Sequence, residues 1–367
     1  MYTIDNFING KPDTNSSESS SIINPSYGED IGEVLHATQE SANQAIESAS
    51  NAFVSWSKTG MSYRAELILK FRQGVIDKSN DIIDICIKEA GKTKPDAEAE
   101  LDRAIQALTH ASGIQHFYPA HISRNVAGNI DIADMRYPIG VVAGGGPFNF
   151  PILIPILHSS MALVTGNTHI AKPSEKVPSI SRLYADIYKE AGLPDGCYNV
   201  INGGKDIVEY IVSHNKVDGL AFIGSTAAAR SLKSLGVEHN TKVQALGGGK
   251  NHMIVLPDAD LDMAADAAVS AGFGAAGQRC MAVSVVVAVG DIADDLVNKI
   301  KERIPNIKMG VTDDDSTELG PVISSENRDR INSFIESAEP DGASLVVDGR
   351  SESRSLNGCF VGATLID

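Results

Sequence analysis

The chain has 367 residues, a length that suggests two or three domains with a buried core and excludes a small module held by disulfides or a metal. Its 43% hydrophobic and 21% charged residues are typical of an ordinary globular protein. The 31 Lys and Arg against 47 Asp and Glu give a net charge of −16, which argues against nucleic acid or an anionic membrane as a partner.

The first part of the chain is predicted to be largely helical after a few short strands. It begins without a basic segment followed by an apolar stretch, so no export signal is predicted. Residues 39–58, 62–90 and 96–113 repeat apolar side chains at three- and four-residue spacing, which predicts helices, with Ser41 as the cap of the first and Gly91 at the end of the second.

The middle of the chain contains an uncharged stretch at residues 137–168. Pro147, Pro151, Pro155 and three consecutive glycines interrupt it, so a buried strand, loop and helix are predicted there and not a membrane span. Four cysteines without close pairing or metal-ligand spacing indicate free thiols, a reducing compartment and no metal site. We therefore expect a cytoplasmic protein.

Beyond residue 136 short apolar runs alternate with helix-length segments. This alternation predicts a largely parallel sheet with helices on both faces, and ligands then bind at the carboxyl ends of the strands. The runs are 139–143, 168–171, 198–201, 219–223, 253–256 and 283–289.

Two of the predicted strands are followed by segments that could bind a ligand. Asn149, in the Gly- and Pro-rich segment 144–151, is either a donor to a developing oxyanion or part of a structural turn. Lys172 and Glu175 place a cation and a carboxylate where phosphate and ribose could bind, or form an ordinary polar loop.

Two further segments carry alternatives of the same kind. Ser225 follows a strand and opens a helix, so it is either a phosphate contact or an N-cap. Cys280, beside Arg279 and among small residues, is either a nucleophile or a buried inert thiol. The GxGxxG pattern at 272–277 follows a helix-like segment and is interpreted as accidental.

Taken together and in this order, PFNFP, KPSE, GST, LGGGKN and GQRCMA resemble the aldehyde dehydrogenase superfamily. YPIGVV, KNH and GQRCMA are similar to its methylmalonate-semialdehyde dehydrogenase branch, which acylates coenzyme A. The resemblance implies an α/β fold with parallel Rossmann-like sheets: an NAD-binding domain over residues 1–245, with a subunit-pairing hairpin near 120–137, and a catalytic domain over 246–367.

The resemblance also assigns roles to residues that match the family motifs. Cys280 matches the nucleophile, and Asn149 matches the amide that stabilises the oxyanion. A second group matches the NAD site, with a carboxylate that favours NAD over NADP: Phe148, Lys172, Glu175, Gly224 and Ser225. Arg103 and Arg279 match two arginines that hold the substrate carboxylate.

The resemblance implies oxidation of malonate or methylmalonate semialdehyde through a Cys280 thioester, with transfer to coenzyme A and loss of carbon dioxide. Leu246 stands where hydrolytic relatives carry a glutamate base, which favours thiolysis. The chain ends at Asp367, before the family's later segments, so we expect a truncated catalytic domain and a doubtful homo-oligomer. Two alternatives are a non-catalytic homologue that binds NAD or pairs with a complete subunit, and a hydrolytic aldehyde dehydrogenase.

Overall fold

Helices form at the predicted places and cover much of the chain. The computed structural model describes residues 1–118, 120–353 and 356–367. In these residues the helices are α1 Gln39–Trp56, α2 Met61–Asp77, α3 Ser79–Ala90, α4 Lys94–Ser112, α5 Ile114–Phe117, α6 Leu153–Val164, α7 Ser179–Glu190, α8 Lys205–Ser213, α9 Thr226–Glu238, α10 Leu261–Phe273, α11 Ala293–Arg303, α12 Ser325–Ala338 and α13 Arg350–Ser353.

The strands are short and include every apolar run that the sequence suggested. They are β1 Tyr2–Ile4, β2 Asn6–Ile8, β3 Lys11–Asp13, β4 Ser16–Asn24, β5 Glu29–Ala37, β6 His121–Ser123, β7 Ile132–Asp134, β8 Val141–Gly145, β9 Thr168–Lys172, β10 Tyr198–Val200, β11 Val217–Ile223, β12 Lys242–Leu246, β13 Asn251–Val255, β14 Val283–Ala288, β15 Leu345–Val347 and β16 Leu365–Ile366.

A seven-stranded sheet organises the first two thirds of the described chain, in the order β12-β11-β8-β9-β10-β2-β3. The five strands from β12 to β10 run parallel, and β2 and β3 add an antiparallel edge. The chain passes from β8 to β9 and β10 on one side and then returns to β11 on the other. The strand order therefore reverses at β8, which is where such sheets bind ligands.

Helices cover both faces of this sheet. On one face α1 packs on β8 and β9, with α8 and α9 over β11 and β12, around a core that includes Ile46, Ile170 and Leu220. On the other face α6 and α7 pack on the sheet beneath α2 and α4, around Phe71 and Tyr184. The predicted α/β fold with parallel strands is confirmed.

The last third of the chain begins a second sheet. The strands β13 and β14 pair in parallel, and α10 and α11 pack against each other beside them. Their shared core includes Val255, Ala265, Leu296 and Ile300. The segment from α10 to β14 carries Cys280, so this sheet sets the position of the thiol.

Two helix predictions are wrong in detail. Ser41 does not cap the first helix, because Thr38 does: its Oγ1 accepts from the Ser41 N–H at 3.0 Å. Residues 62–90 form two helices, since Lys78 adopts a non-helical backbone between α2 and α3. Gly91 does end α3, with the left-handed φ of 64° that favours glycine there.

Residues near 120–137 form the expected hairpin, in which β6 and β7 pair in an antiparallel fashion. Pro119, just before it, lies outside the described residues. Several of the hairpin's large apolar side chains are exposed, among them Ile122 and Ile132. None of the helices in the described parts of the chain is both long and apolar enough to cross a membrane.

Candidate active site

The residues predicted to bind the cofactor meet at one edge of the central sheet. The strand β8 ends at Gly145, β9 at Lys172 and β11 at Ile223. Because these neighbouring strands are parallel, their carboxyl ends lie side by side. The crevice created by the reversal of strand order at β8 therefore opens among these residues.

A cavity of about 210 Å³ lies at this edge between α8 and α9. Lys172 and Glu175 line it, with Lys172 Nζ at 3.4 Å from Glu175 Oε2, and the walls include Val208 and Leu232. Burial lowers the pKa of Lys172. Burial raises the pKa of Glu175, but the Lys172 ammonium, hydrogen bonds to the carboxylate and the Lys176 charge together outweigh it, so the pKa of Glu175 is lowered overall. The cavity thus joins an ionised carboxylate to apolar walls, a combination suited to ribose and a flat base.

The Phe222 ring leaves no room for a side chain at two of the glycines at this edge. Its ring lies against Gly145 and Gly224, and an added Cβ would be 2.7 Å and 2.6 Å from the ring. The backbone at both positions is thereby kept close to the crevice. Phe148, from the adjoining loop, is half-buried against the apolar core.

Ser225 is the N-cap of α9, where its Oγ accepts from the Ala228 N–H at 3.2 Å. Thr226 Oγ1 accepts from the Gly248 N–H at 3.2 Å and so joins this turn to the loop after β12. The other free N–H groups of the first turn of α9 point toward the crevice end of the sheet, an arrangement that favours an anion.

Cys280 is the exposed thiol of the chain, whereas Cys86, Cys197 and Cys359 are buried. Burial raises the pKa of all three buried thiols, that of Cys197 to about 12. These three are therefore neutral and inaccessible at pH 7. The structure leaves Cys280 as the thiol that a soluble electrophile can reach.

A left-handed turn precedes Cys280. Ala275 and Ala276 have φ of 51° and 53°, and Gly277 has φ of 71°. This conformation is costly for alanine, by about 1 kcal/mol or more per residue. The GxGxxG segment therefore comprises the last two residues of α10 and a strained turn, so it follows a helix and not a strand, as the sequence interpretation expected.

The side chain of Asn149 reaches the same turn from the first half of the chain. Its Nδ2 donates to the carbonyl oxygen of Gln278 at 2.7 Å. The Gln278 side chain in turn accepts from the Ile323 N–H at 3.0 Å and donates to the Pro321 carbonyl oxygen at 3.4 Å. The amide and the thiol, 131 positions apart by their residue numbers, are thus held in adjoining segments.

Asn251 supports the other side of the thiol segment. Its Nδ2 donates to the carbonyl oxygens of Cys280 and Ala282 at 2.9 and 2.8 Å. Because Asn251 lies at the start of β13, the two hydrogen bonds connect the backbone around Cys280 to the second sheet.

Arg279 is already paired in the structure. Its guanidinium forms a short ion pair with Asp96 of α4 and lies against Gly274. Both residues line a cavity of about 510 Å³ that also contains Phe273 and Ser270. Arg103 lies seven residues after Asp96, hence on the same face of α4, and is exposed.

Leu246 ends β12 and is exposed, paired in register with Ile223. A leucine side chain at this strand end has no group that could deprotonate water.

Sequence reasoning missed the residues that hold these segments together. Gln278 and Asn251 stand in the quoted motifs and Asp96 at the start of a predicted helix, but their roles depend on contacts between distant parts of the chain. Lys92 and Glu100 gave no signal, since other charged residues stand close to both of them in the sequence. Both are buried.

Comparison with known proteins agrees with this geometry. A profile of the aldehyde dehydrogenase family matches residues 13–367. The malonate-semialdehyde dehydrogenase of Lacticaseibacillus casei is 39% identical over 368 residues, which cover 100% of this chain and 75% of that protein. The chain belongs to the aldehyde dehydrogenase family, as the motifs predicted.

Two solved structures are similar over the whole chain. The methylmalonate-semialdehyde dehydrogenase of Oceanimonas doudoroffii has a TM-score of 0.97 and 40% identity, covering 100% of this chain and 76% of that one. A putative methylmalonate-semialdehyde dehydrogenase of Sinorhizobium meliloti 1021, solved with NAD, has a TM-score of 0.96 and 39% identity, with 100% and 76% coverage.

Proposed function

We propose that the chain is an NAD-dependent semialdehyde dehydrogenase that oxidises malonate or methylmalonate semialdehyde and transfers the acyl group to coenzyme A. The observation that carries the proposal is the contact of Asn149 with the Gln278 carbonyl, two residues before the exposed Cys280. It brings an amide donor to the segment of a reachable thiol. The malonate- and methylmalonate-semialdehyde dehydrogenases among the relatives support the substrate class.

The crevice fits a dinucleotide. Lys172 and Glu175 would hold the adenosine ribose, the walls between α8 and α9 would hold adenine, and the first turn of α9 at Gly224 and Ser225 would face the pyrophosphate. Phe148 would pack beside the nicotinamide half. NAD, when bound, supplies the hydride acceptor for the oxidation. In this proposal residues 1–245 hold the cofactor and 246–367 carry the nucleophile.

The chain's own residues then act in a defined order. The Cys280 thiolate attacks the aldehyde carbon, and the carbonyl electron pair moves to oxygen. The resulting alkoxide accepts hydrogen bonds from Asn149 Nδ2 and the Cys280 N–H. After oxidation, Cys280 holds the acyl group as a thioester until the coenzyme A thiolate displaces it, which returns the Cys280 thiolate. The free carboxyl leaves as carbon dioxide, and a proton takes its place on the neighbouring carbon.

Leu246 favours the thiol over water as the acceptor of the acyl group. Thioester hydrolysis needs a base to deprotonate water, and Leu246 cannot act as one. A coenzyme A thiolate needs no such base at the moment of attack.

Arg279 and Arg103 would bind the substrate carboxylate. Arg279 lines the cavity near Cys280, where its ion pair with Asp96 orients the guanidinium. A guanidinium can serve two carboxylates at once, because it has five N–H donors. Arg103, on the same face of α4, would provide the second cation.

The test is NADH formation by the purified chain with malonate semialdehyde, with and without coenzyme A, while acetyl coenzyme A and carbon dioxide are measured. We expect turnover that requires coenzyme A and yields all three products in equal amounts. Equal turnover without coenzyme A would identify a hydrolytic enzyme. NAD binding without any turnover would identify a non-catalytic homologue.

A further inference from the structure

The loop that carries Asn149 is held by a buried ion pair on a different element. Lys92 and Glu100 are 7% and 3% exposed, and Lys92 Nζ lies 2.5 Å from Glu100 Oε2. The pair sits at the start of α4, outside the residues assigned to substrate or cofactor. Taking two charges out of water is expensive, so a pair of this kind needs further partners to be tolerated.

Those partners belong to the Asn149 loop. Glu100 Oε1 accepts from the backbone N–H groups of Ile152 and Leu153, each at 2.8 Å. These groups open α6, whose N-cap residue offers no side-chain hydrogen bond of its own. Glu100 therefore replaces a local cap, and the positive end of the α6 dipole stabilises its charge.

Lys92 itself and Tyr184 hold other residues of this loop. Lys92 Nζ lies 4.3 Å from the centroid of the Phe150 ring, a cation–π contact next to Asn149 in the chain. Tyr184 donates to the Ile152 carbonyl oxygen at 3.0 Å from the opposite side. Phe150 and Ile152, close to Asn149 in the chain, are thus held before α6 begins, which restricts the movement of the amide.

We propose that Glu100, together with Lys92, is a positioning residue that sets the Asn149 amide for catalysis. The inference rests on the proposed function, in which Asn149 stabilises the oxyanion. Glu100 touches neither substrate nor cofactor; it acts by holding the N–H groups of Ile152 and Leu153, and through them the loop. Displacing a catalytic donor by about 1 Å costs about 100-fold in rate.

A double-mutant cycle separates positioning from general stability. Glu100→Gln keeps an oxygen for the two N–H groups but turns an amide N–H toward the Lys92 ammonium. We expect kcat to fall about 10- to 100-fold while KM and the NAD dissociation constant change less than about threefold. In an Asn149→Ala background the same change should cost less than about twofold, because the donor it positions is gone.

A control residue and a rescue variant complete the comparison. Glu98→Gln alters an exposed glutamate on the far side of α4 and should leave kcat within about twofold of the parent. Lys92→Met with Glu100→Gln removes both charges and the donor clash, so this double variant should recover a large part of the lost kcat. If Glu100→Gln alone destabilises the chain, the double variant, which leaves no buried charge unpaired, is compared with the parent with and without Asn149→Ala, and any loss of kcat should again require Asn149.

Equal loss in both backgrounds, or an unchanged kcat, would overturn the inference. Hydrogen exchange gives a second reading that needs no turnover. The amides of Ile152 and Leu153 should exchange faster in Glu100→Gln than in the parent, while those of α9 stay unchanged. If the parent chain shows no turnover but the two amides exchange faster in Glu100→Gln, only the proposed function is contradicted. If exchange at both amides is unchanged, the role of Glu100 is contradicted.

Discussion

Asn149 Nδ2 lies 2.7 Å from the carbonyl oxygen of Gln278, so the nitrogen end of the amide faces the segment of Cys280. A carbonyl oxygen only accepts, which rules out the opposite orientation of the amide. One N–H is used by this bond. In the proposed function, the other N–H would donate to the substrate oxygen at Cys280. This contact between two distant parts of the chain therefore determines that Asn149 presents its N–H groups, and not its oxygen, to the segment of Cys280.

Asn149→Ala should lower kcat about 100- to 1000-fold, as expected for the loss of one oxyanion donor. NAD binding, followed by quenching or calorimetry, should be unchanged. Asn51→Ala, an exposed asparagine on α1, serves as the control. A loss of less than threefold for Asn149→Ala would remove it from the oxyanion site.

Cys280 should be the thiol that reacts first with iodoacetamide. The other three cysteines are buried, so they should remain unlabelled until the chain unfolds. Peptide mass spectrometry of the native and the denatured chain measures this. Cys280→Ala should remove both the rapid labelling and the oxidation while NAD binding persists, and retained oxidation would disprove the nucleophile assignment.

Glu175→Gln should weaken the preference for NAD over NADP. The carboxylate of Glu175 would repel a 2′-phosphate by about 1 kcal/mol at 4 Å in water, which is about a fivefold effect on the ratio of kcat/KM values. Glu209→Gln is the matched control, because Glu209 lines the same cavity. If Glu175→Gln and Glu209→Gln change the ratio of kcat/KM for NAD and NADP equally, the preference depends on net charge and not on a contact of Glu175 with the ribose.

Arg103→Leu should raise KM for malonate semialdehyde about tenfold more than KM for propanal, because only the first carries a carboxylate. Arg72→Leu, which changes an arginine on α2 that donates to Thr109, is the control. Steady-state rates with both aldehydes measure the difference. An equal rise for the two substrates would place Arg103 outside the carboxylate site.

Glu89 should make stability depend on pH. It is 1% exposed, and burial raises its pKa to about 7, although the Ser179 and Tyr2 hydroxyls oppose the rise. In the unfolded chain the pKa of a glutamate is about 4.3. At pH values between the unfolded and the folded pKa, Glu89 is therefore protonated in the folded state and ionised in the unfolded state. The free energy of unfolding should therefore fall by up to about 4 kcal/mol as pH rises through this window.

Thermal unfolding at pH values from about 5 to 8 measures this effect, with the single buried Trp56 as the fluorescent reporter. Relative to the parent, Glu89→Gln should lose stability more slowly as pH rises. Glu66→Gln, at an exposed position of α2, should follow the parent. Parallel curves for Glu89→Gln and the parent would contradict a raised pKa.

Six strands were predictable because each apolar run is local and is closed within two residues by Gly, Pro or Ser, whereas β12, which contains Lys242 and Gln244, was not predicted. Val283–Ala288, for example, lies within the predicted run 283–289. The break at Lys78 was not predictable, since neither Gly nor Pro marks it, and Gly74 lies inside α2 without ending it. The helix boundary depends there on tertiary packing, which outweighs local propensity.

The motifs predicted the residues of the site but not what holds them. Asn149 and Gln278 are 129 positions apart, and Glu100 lies 52 positions before Ile152. No spacing rule links residues at such distances, because only the folded sheet and helices bring them together. Ser225 illustrates the alternative that remained open from sequence, and it caps α9 as well as facing the crevice.

Asp96, Glu100 and Arg103 share one face of α4 because they are separated by four and three residues. Each residue of an α-helix advances the direction of its side chain by about 100°. Insertion or deletion of a single residue between Asp96 and Arg103 would therefore rotate one end of this set away from the Asn149 loop and Arg279. Exposed side chains of α4 such as Glu98 can be exchanged without this effect, whereas a change in the helix's length between Asp96 and Arg103 would disturb both the Asn149 loop and the pairing of Arg279.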